Sequence, residues 1–174
     1  MSDDSYIGLA IVASLILIQA LITLAYAALA NVRVAWLKDQ SEAGNKAARR
    51  TLSLIESSAP LIITYQLMSS ISAFVIATVT LVAIAEPIID SNPSLNVTLV
   101  RGLSLFGTML FSVVFGNIVP EAFGSGHGKS LAIFFTPLMR LVLIITSPLV
   151  FGILWVSQTI SSIFGSGDLV NTVT

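Results

Sequence analysis

No cysteine occurs among the 174 residues. That excludes a disulfide framework, a thiolate metal site and a catalytic thiol. Histidine occurs once, at His127, with no metal-ligand partner nearby in sequence. Charge is equally scarce. Eight basic and nine acidic residues leave a net charge of −1, which gives no nucleic-acid footprint. These few charges are also clumped, because none falls in 5–32, 57–85, 102–120 or 141–167, runs of 28, 29, 19 and 27 residues. A helix needs about 20 mostly apolar residues to cross a hydrocarbon core about 30 Å thick. With 55% hydrophobic residues and a mean hydropathy of +0.95, the chain is an all-α integral membrane protein whose first partner is the lipid bilayer. Its start, MSDDSYIGLA, is acidic and has no basic n-region, so the first apolar run is a retained helix and not a signal peptide.

The stretch that stands out is Val113 to Pro120, VVFGNIVP. Pro120 has no amide hydrogen, and in a helix its ring presses on the carbonyl four residues back, that of Gly116. Inside lipid a carbonyl freed in this way needs a new partner: a neighbouring helix, a water or an ion. Asn117 lies beside it with a second oxygen, and Gly116 lets another group approach closely. Two readings stay open, a proline-kinked helix whose Asn bonds to a neighbour and an ion site at Gly116 and Asn117.

The first helix spans about Tyr6 to Val32. Gln19, Thr23 and Tyr26, at i, i+4 and i+7, lie on one face. They serve either helix packing or ion binding. Arg33 to Glu56 holds five of the eight basic residues and reads as helical from about Glu42, with Ser41 as N-cap. The positive-inside bias places this loop in the cytoplasm and the N-terminus outside, as expected for a plasma (inner) membrane protein. The second helix spans about Pro60 to Ala85 and carries Gln66, Ser69, Ser70 and Ala73 on one face. Glu86-Pro87 is expected to end it. Asn96-Val97-Thr98 matches a glycosylation acceptor, but it is too close to the membrane to carry weight.

The third helix runs from about Leu99 to Val119, and a turn from Gly124 to Lys129 follows. The glycines of this turn do not make a phosphate loop, since no strand precedes them. Leu141 to Phe164 is long enough for a crossing. Pro137 and Pro148 are expected to break it, however, and its second half is polar enough for a helix at the interface.

This order of segments, with VVFGNIVPEAFG followed by LAIFFTPLMRLVLIITSPLVF, resembles the transmembrane domain of the cyclin-M (CNNM)/CorC family of magnesium transporters. That family has a LVFGEIxPK-like motif and a later Pro-Leu pair. The resemblance spans about Tyr6 to Gly165 and implies three transmembrane helices, a cytoplasmic helical loop and a C-terminal juxtamembrane belt. On this chain that makes 1–165 the membrane domain, 141–164 the belt and 166–174 a short tail. It further implies a homodimer, Mg²⁺ efflux with Na⁺ as a possible coupling ion, alternating access about a hinge at Gly116 and Pro120, and a pair of soluble nucleotide-sensing domains beyond the belt.

The implied ion-binding residues are Gln19, Thr23, Ser69, Ser70, Gly116 and Asn117, with Thr23, Ser69 and Asn117 as metal ligands. No organic cofactor is expected, and no enzymatic activity, since no Ser/His pair or paired carboxylates lie at matching depth. The departures from the family are pointed. Asn117 stands where the family has Glu, Glu121 where it has a basic residue, and Tyr26 near where it has an acidic one. Magnesium sites normally include one or two carboxylates, and this set has none. A non-transporting structural or regulatory subunit of a membrane complex is therefore the alternative expectation.

Overall fold

A computed structural model describes residues 3–56 and 58–163. The tail at 166–174 lies outside the described residues. Among those described there is no strand. The helices are α1 (Asp3–Asn31), α2 (Val34–Glu42), α3 (Lys46–Glu56), α4 (Ser58–Thr80), α5 (Glu86–Ser91), α6 (Val97–Phe111), α7 (Val119–Gly126) and α8 (Gly128–Ile163). Two π-helical stretches, Leu81–Ala85 and Ser112–Ile118, join α4 to α5 and α6 to α7 without a break. The chain divides into two compact units, Met1–Leu24 with Met68–Phe123 and Ala25–Leu67 with Gly124–Thr174.

In the first unit Val12 and Ile16 of α1 bury against Ile76 of α4, with Leu15, Val79 and Ile84 around them. Arg101 donates from Nε and Nη2 to Oε1 of Glu86, at 2.9 and 2.7 Å, and so ties α6 to α5 across a short turn. Both side chains are 40% or more exposed, so the pair adds at most about 1 kcal/mol. Asn96 caps α6 by accepting from the Leu99 amide.

In the second unit α2 and α3 form a hairpin, and α3 packs on α8 through a 2.7 Å contact between the Thr51 and Thr136 hydroxyls. Thr64 and Thr146 meet at 3.2 Å. Thr51 and Thr136 also each reach a carbonyl one turn back, so two hydrogens are shared among three contacts, and the hydroxyl that donates across the interface gives up its own backbone bond. Elsewhere large apolar groups stand bare, Phe74 at 76% and Phe151 at 72% exposure among them. Such faces are at home only in lipid or against another chain.

Several expectations are corrected. The charged segment is helical before Glu42: Ser41 lies inside α2, and Asn45 is the cap, accepting from the Ala47 and Ala48 amides. Gly44, at φ 89°, makes the turn between the two helices, a conformation that costs glycine little.

Glu86-Pro87 does not end the second helix, and Pro120 does not end the third. Each proline follows a π-helical stretch that absorbs the missing bond, so the helices continue to Ser91 and to Gly126. The expected turn from Gly124 to Lys129 shrinks to His127.

Pro137 and Pro148 lie inside an unbroken α8. Each removes a single donor, and the Thr136 and Thr146 hydroxyls bond back to the preceding turn beside them. By length and composition four helices among the described residues are able to cross a membrane, Tyr6–Asn31, Ala59–Ser91, Val97–Gly126 and Gly128–Thr159, so the last joins the three expected spans as a candidate.

The carbonyl facing Pro87 across one turn belongs to Ala83, and it packs directly on Gly8 of α1, where a Cβ would overlap it. Gly8→Ala is therefore expected to lower stability by about 1–3 kcal/mol, because backbone must move to admit a methyl. Gly102→Ala and Gly107→Ala, with nothing within 4 Å of the added carbon, should be neutral or slightly stabilising. Thermal unfolding of the three variants in one detergent checks this.

Candidate functional site

The first unit brings polar groups together at one place within the charge-free stretches of its helices. Gln19 and Thr23, one turn apart on α1, are buried to 3% and 1% exposure. They face Ser112–Ile118, where the Val119 amide bonds to the Val114 carbonyl, five residues back. A turn widened to i→i+5 puts residues five apart on one side. Ser112 and Asn117 are such a pair, and in an α-helix they would point well away from each other.

Gln19 Nε2 donates to Asn117 Oδ1 at 3.0 Å, and Thr23 Oγ1 donates to the same oxygen at 3.3 Å. Ser112 Oγ donates to Gln19 Oε1 at 3.0 Å. Among the described residues no buried side-chain polar atom lacks a partner. Gly116 makes the approach possible, since a Cβ there would lie 3.1–3.3 Å from the Gln19 amide atoms. Pro120 is buried just beyond.

The network opens on a cavity of about 610 Å³ whose polar lining includes Gln19, Ser69, Thr108, Ser112 and Asn117. Ala73 lines it as well. Ser69 thus shares the cavity with Gln19 and Asn117. Ser70 and Gln66 are exposed and do not line it. Tyr26 instead stacks on Tyr65, with ring centroids 4.0 Å apart and planes within 1°.

Ser112 and Thr108 escaped sequence reasoning. The signal that could have found Ser112 is Pro120 itself, because a π turn ahead of a proline calls for counting by five. No group of three or more His, Cys, Asp or Glu residues able to hold a metal occurs among the described residues. The donors at this site are neutral amides and hydroxyls. They can coordinate a cation through oxygen, but they bring no negative charge to offset its desolvation.

Compared with known families, residues 9–174 match the cyclin M transmembrane N-terminal domain. The chain belongs to the cyclin-M transmembrane domain family. A comparison with curated proteins finds no match. In this cyclin-M domain Gly116, Asn117 and Ile118 of the glycine-to-proline motif lie in the π stretch, and Val119 and Pro120 open α7.

Ser112→Ala leaves Gln19 Oε1 buried without its donor and should cost about 1–3 kcal/mol. Ser70→Ala, at an exposed position, should change stability by less than about 0.5 kcal/mol. Unfolding curves of both variants against the parent chain distinguish the two positions.

Proposed function

We propose that this cyclin-M domain moves a cation across the membrane through the Gln19–Asn117 site. The observation that carries this reading is a polar network in charge-free stretches of the helices that borders an open cavity, whose polar end is formed by Gln19, Ser69, Thr108, Ser112 and Asn117. Releasing Asn117 Oδ1 to a cation costs the network two hydrogen bonds and releasing Gln19 Oε1 costs one, each worth about 0.5–1.5 kcal/mol net.

The carboxylate-free shell decides how the ion travels. A stripped Mg²⁺ holds its waters tightly and calls for carboxylates. The transported species is therefore Na⁺, or Mg²⁺ that keeps its inner waters. Six waters at about 30 Å³ each, roughly 180 Å³, fit comfortably in the cavity. Thr23, Ser69 and Asn117 act as ligands in this reading, with Gln19 beside them, while Ser70 drops out. The π stretch between Gly116 and Pro120 is the hinge of alternating access.

The remaining features follow the family. The domain works as a homodimer in the plasma membrane with the N-terminus outside and 33–56 in the cytoplasm. Its α8 lies along the inner surface as a belt. Beyond Val150 the described residues of α8 are almost all exposed, and the polar run Ser157, Gln158 and Thr159 follows directly on Trp155 and Val156, which suits a helix at the interface.

Thermal stability of the purified protein, titrated separately with Na⁺ and Mg²⁺, tests the site. A cation bound only by the folded state raises stability, by about 2.7 kcal/mol at a hundred times its Kd. A saturable rise that Asn117→Ala abolishes is expected, together with loss of ion flux in liposomes. Asn117→Asp should raise the apparent Mg²⁺ affinity at least about tenfold by restoring a charge. No rise with either ion in the parent chain would overturn the transport reading and leave a structural or regulatory subunit.

A further inference from the structure

On α3, Lys46, Arg49, Arg50 and Ser53 follow i, i+3, i+4 and i+7 and share one face. The helix buries Ala48 and Thr51 instead, and Thr51 meets Thr136 of α8. Arg140 follows Thr136 by one turn, so α8 carries a fourth cation to the same place. The four basic side chains, with Ser53 and Leu54, line a cleft of about 460 Å³. No acidic residue lines it, and among the described residues none of the four forms a salt bridge. Like charges gathered in one concavity repel each other and focus a positive field into it.

We propose that this cleft binds the phosphate of an anionic lipid headgroup. Phosphate is the matching chemistry because three guanidinium forks can grip its oxygens in pairs and the serine hydroxyl can add another donor. The neighbouring surface points to a lipid as the source. Directly after Arg140 begins the charge-free run 141–167, and Leu141, Ile144 and Ile145 are 54–66% exposed. A basic cleft and a bare apolar flank on one helix fit a molecule with an anionic head and acyl tails, whereas a soluble phosphate uses only the cleft. Four cations also favour a head with two negative charges over one with a single charge.

The test uses the purified 174-residue chain in detergent, with bound lipid counted by native mass spectrometry. Phosphatidic acid should bind more tightly than phosphatidylglycerol, and both more tightly than phosphatidylcholine. Arg49→Gln/Arg50→Gln should weaken anionic lipid binding about thirtyfold, at about a factor of five per basic residue. Arg33→Gln/Lys38→Gln, which removes the same charge from exposed positions outside the cleft, should keep the preference. Circular dichroism confirms that both variants are folded.

Equal retention of phosphatidylcholine and the anionic lipids would overturn the proposal. So would equal losses in the two variants, which would reduce the effect to net charge. Inorganic phosphate binding as tightly as phosphatidic acid would overturn the lipid assignment in favour of a soluble anion.

Discussion

Every backbone amide and carbonyl in the hydrocarbon core must find its partner within the protein. Pro87 and Pro120 challenge that requirement inside long apolar helices, where each deletes a donor. The response is the same both times: a π-helical stretch just before the proline, with the helix carried on beyond it. At the first, the Ala83 carbonyl lies on Gly8. At the second, the widened turn places Ser112 beside Asn117 and creates the polar site. The proposed function thus descends from a missing hydrogen on Pro120.

The site is held by close approach as much as by hydrogen bonds. Gln19 reaches Asn117 because Gly116 presents no side chain, and its own amide is used at both ends, as a donor to Asn117 and an acceptor from Ser112. A neutral arrangement of this kind is stable without an ion. It avoids the cost of a buried carboxylate, which would have to be paired, hydrated or protonated when the site is empty. Where the cyclin-M family places a charge, this chain places an amide of nearly the same reach.

The membrane class and the helix positions were legible in the spacing of the charges, because a water-soluble fold seldom tolerates charge-free runs of this length. Gln19, Thr23 and Asn117 were legible because polar groups in such runs are few. Ser112 was not, since α-helical counting separates it from Asn117 and nothing in that count signals a π turn. The helix ends at Pro87 and Pro120 were misjudged for a related reason: rules drawn from helices in water treat proline as a stop, while in lipid an interrupted helix is costlier than a deformed one. The α2–α3 hairpin was half legible. Ser41 is as good a cap by type as Asn45, and only the left-handed turn at Gly44 decides between them.

A π-helical stretch contains one residue more than an α-helix of the same rise would hold. If Ser112–Ile118 expelled that residue into the next turn, the segment on one side of it would rotate by about 100° and slide about 1.5 Å against the other. Ser112 and Asn117 would part, and Gln19 would lose one of its two partners. The stretch is in this sense a ratchet with a single tooth. Its two settings would differ by one backbone register, and the network at Gln19 would report which of them the helix occupied.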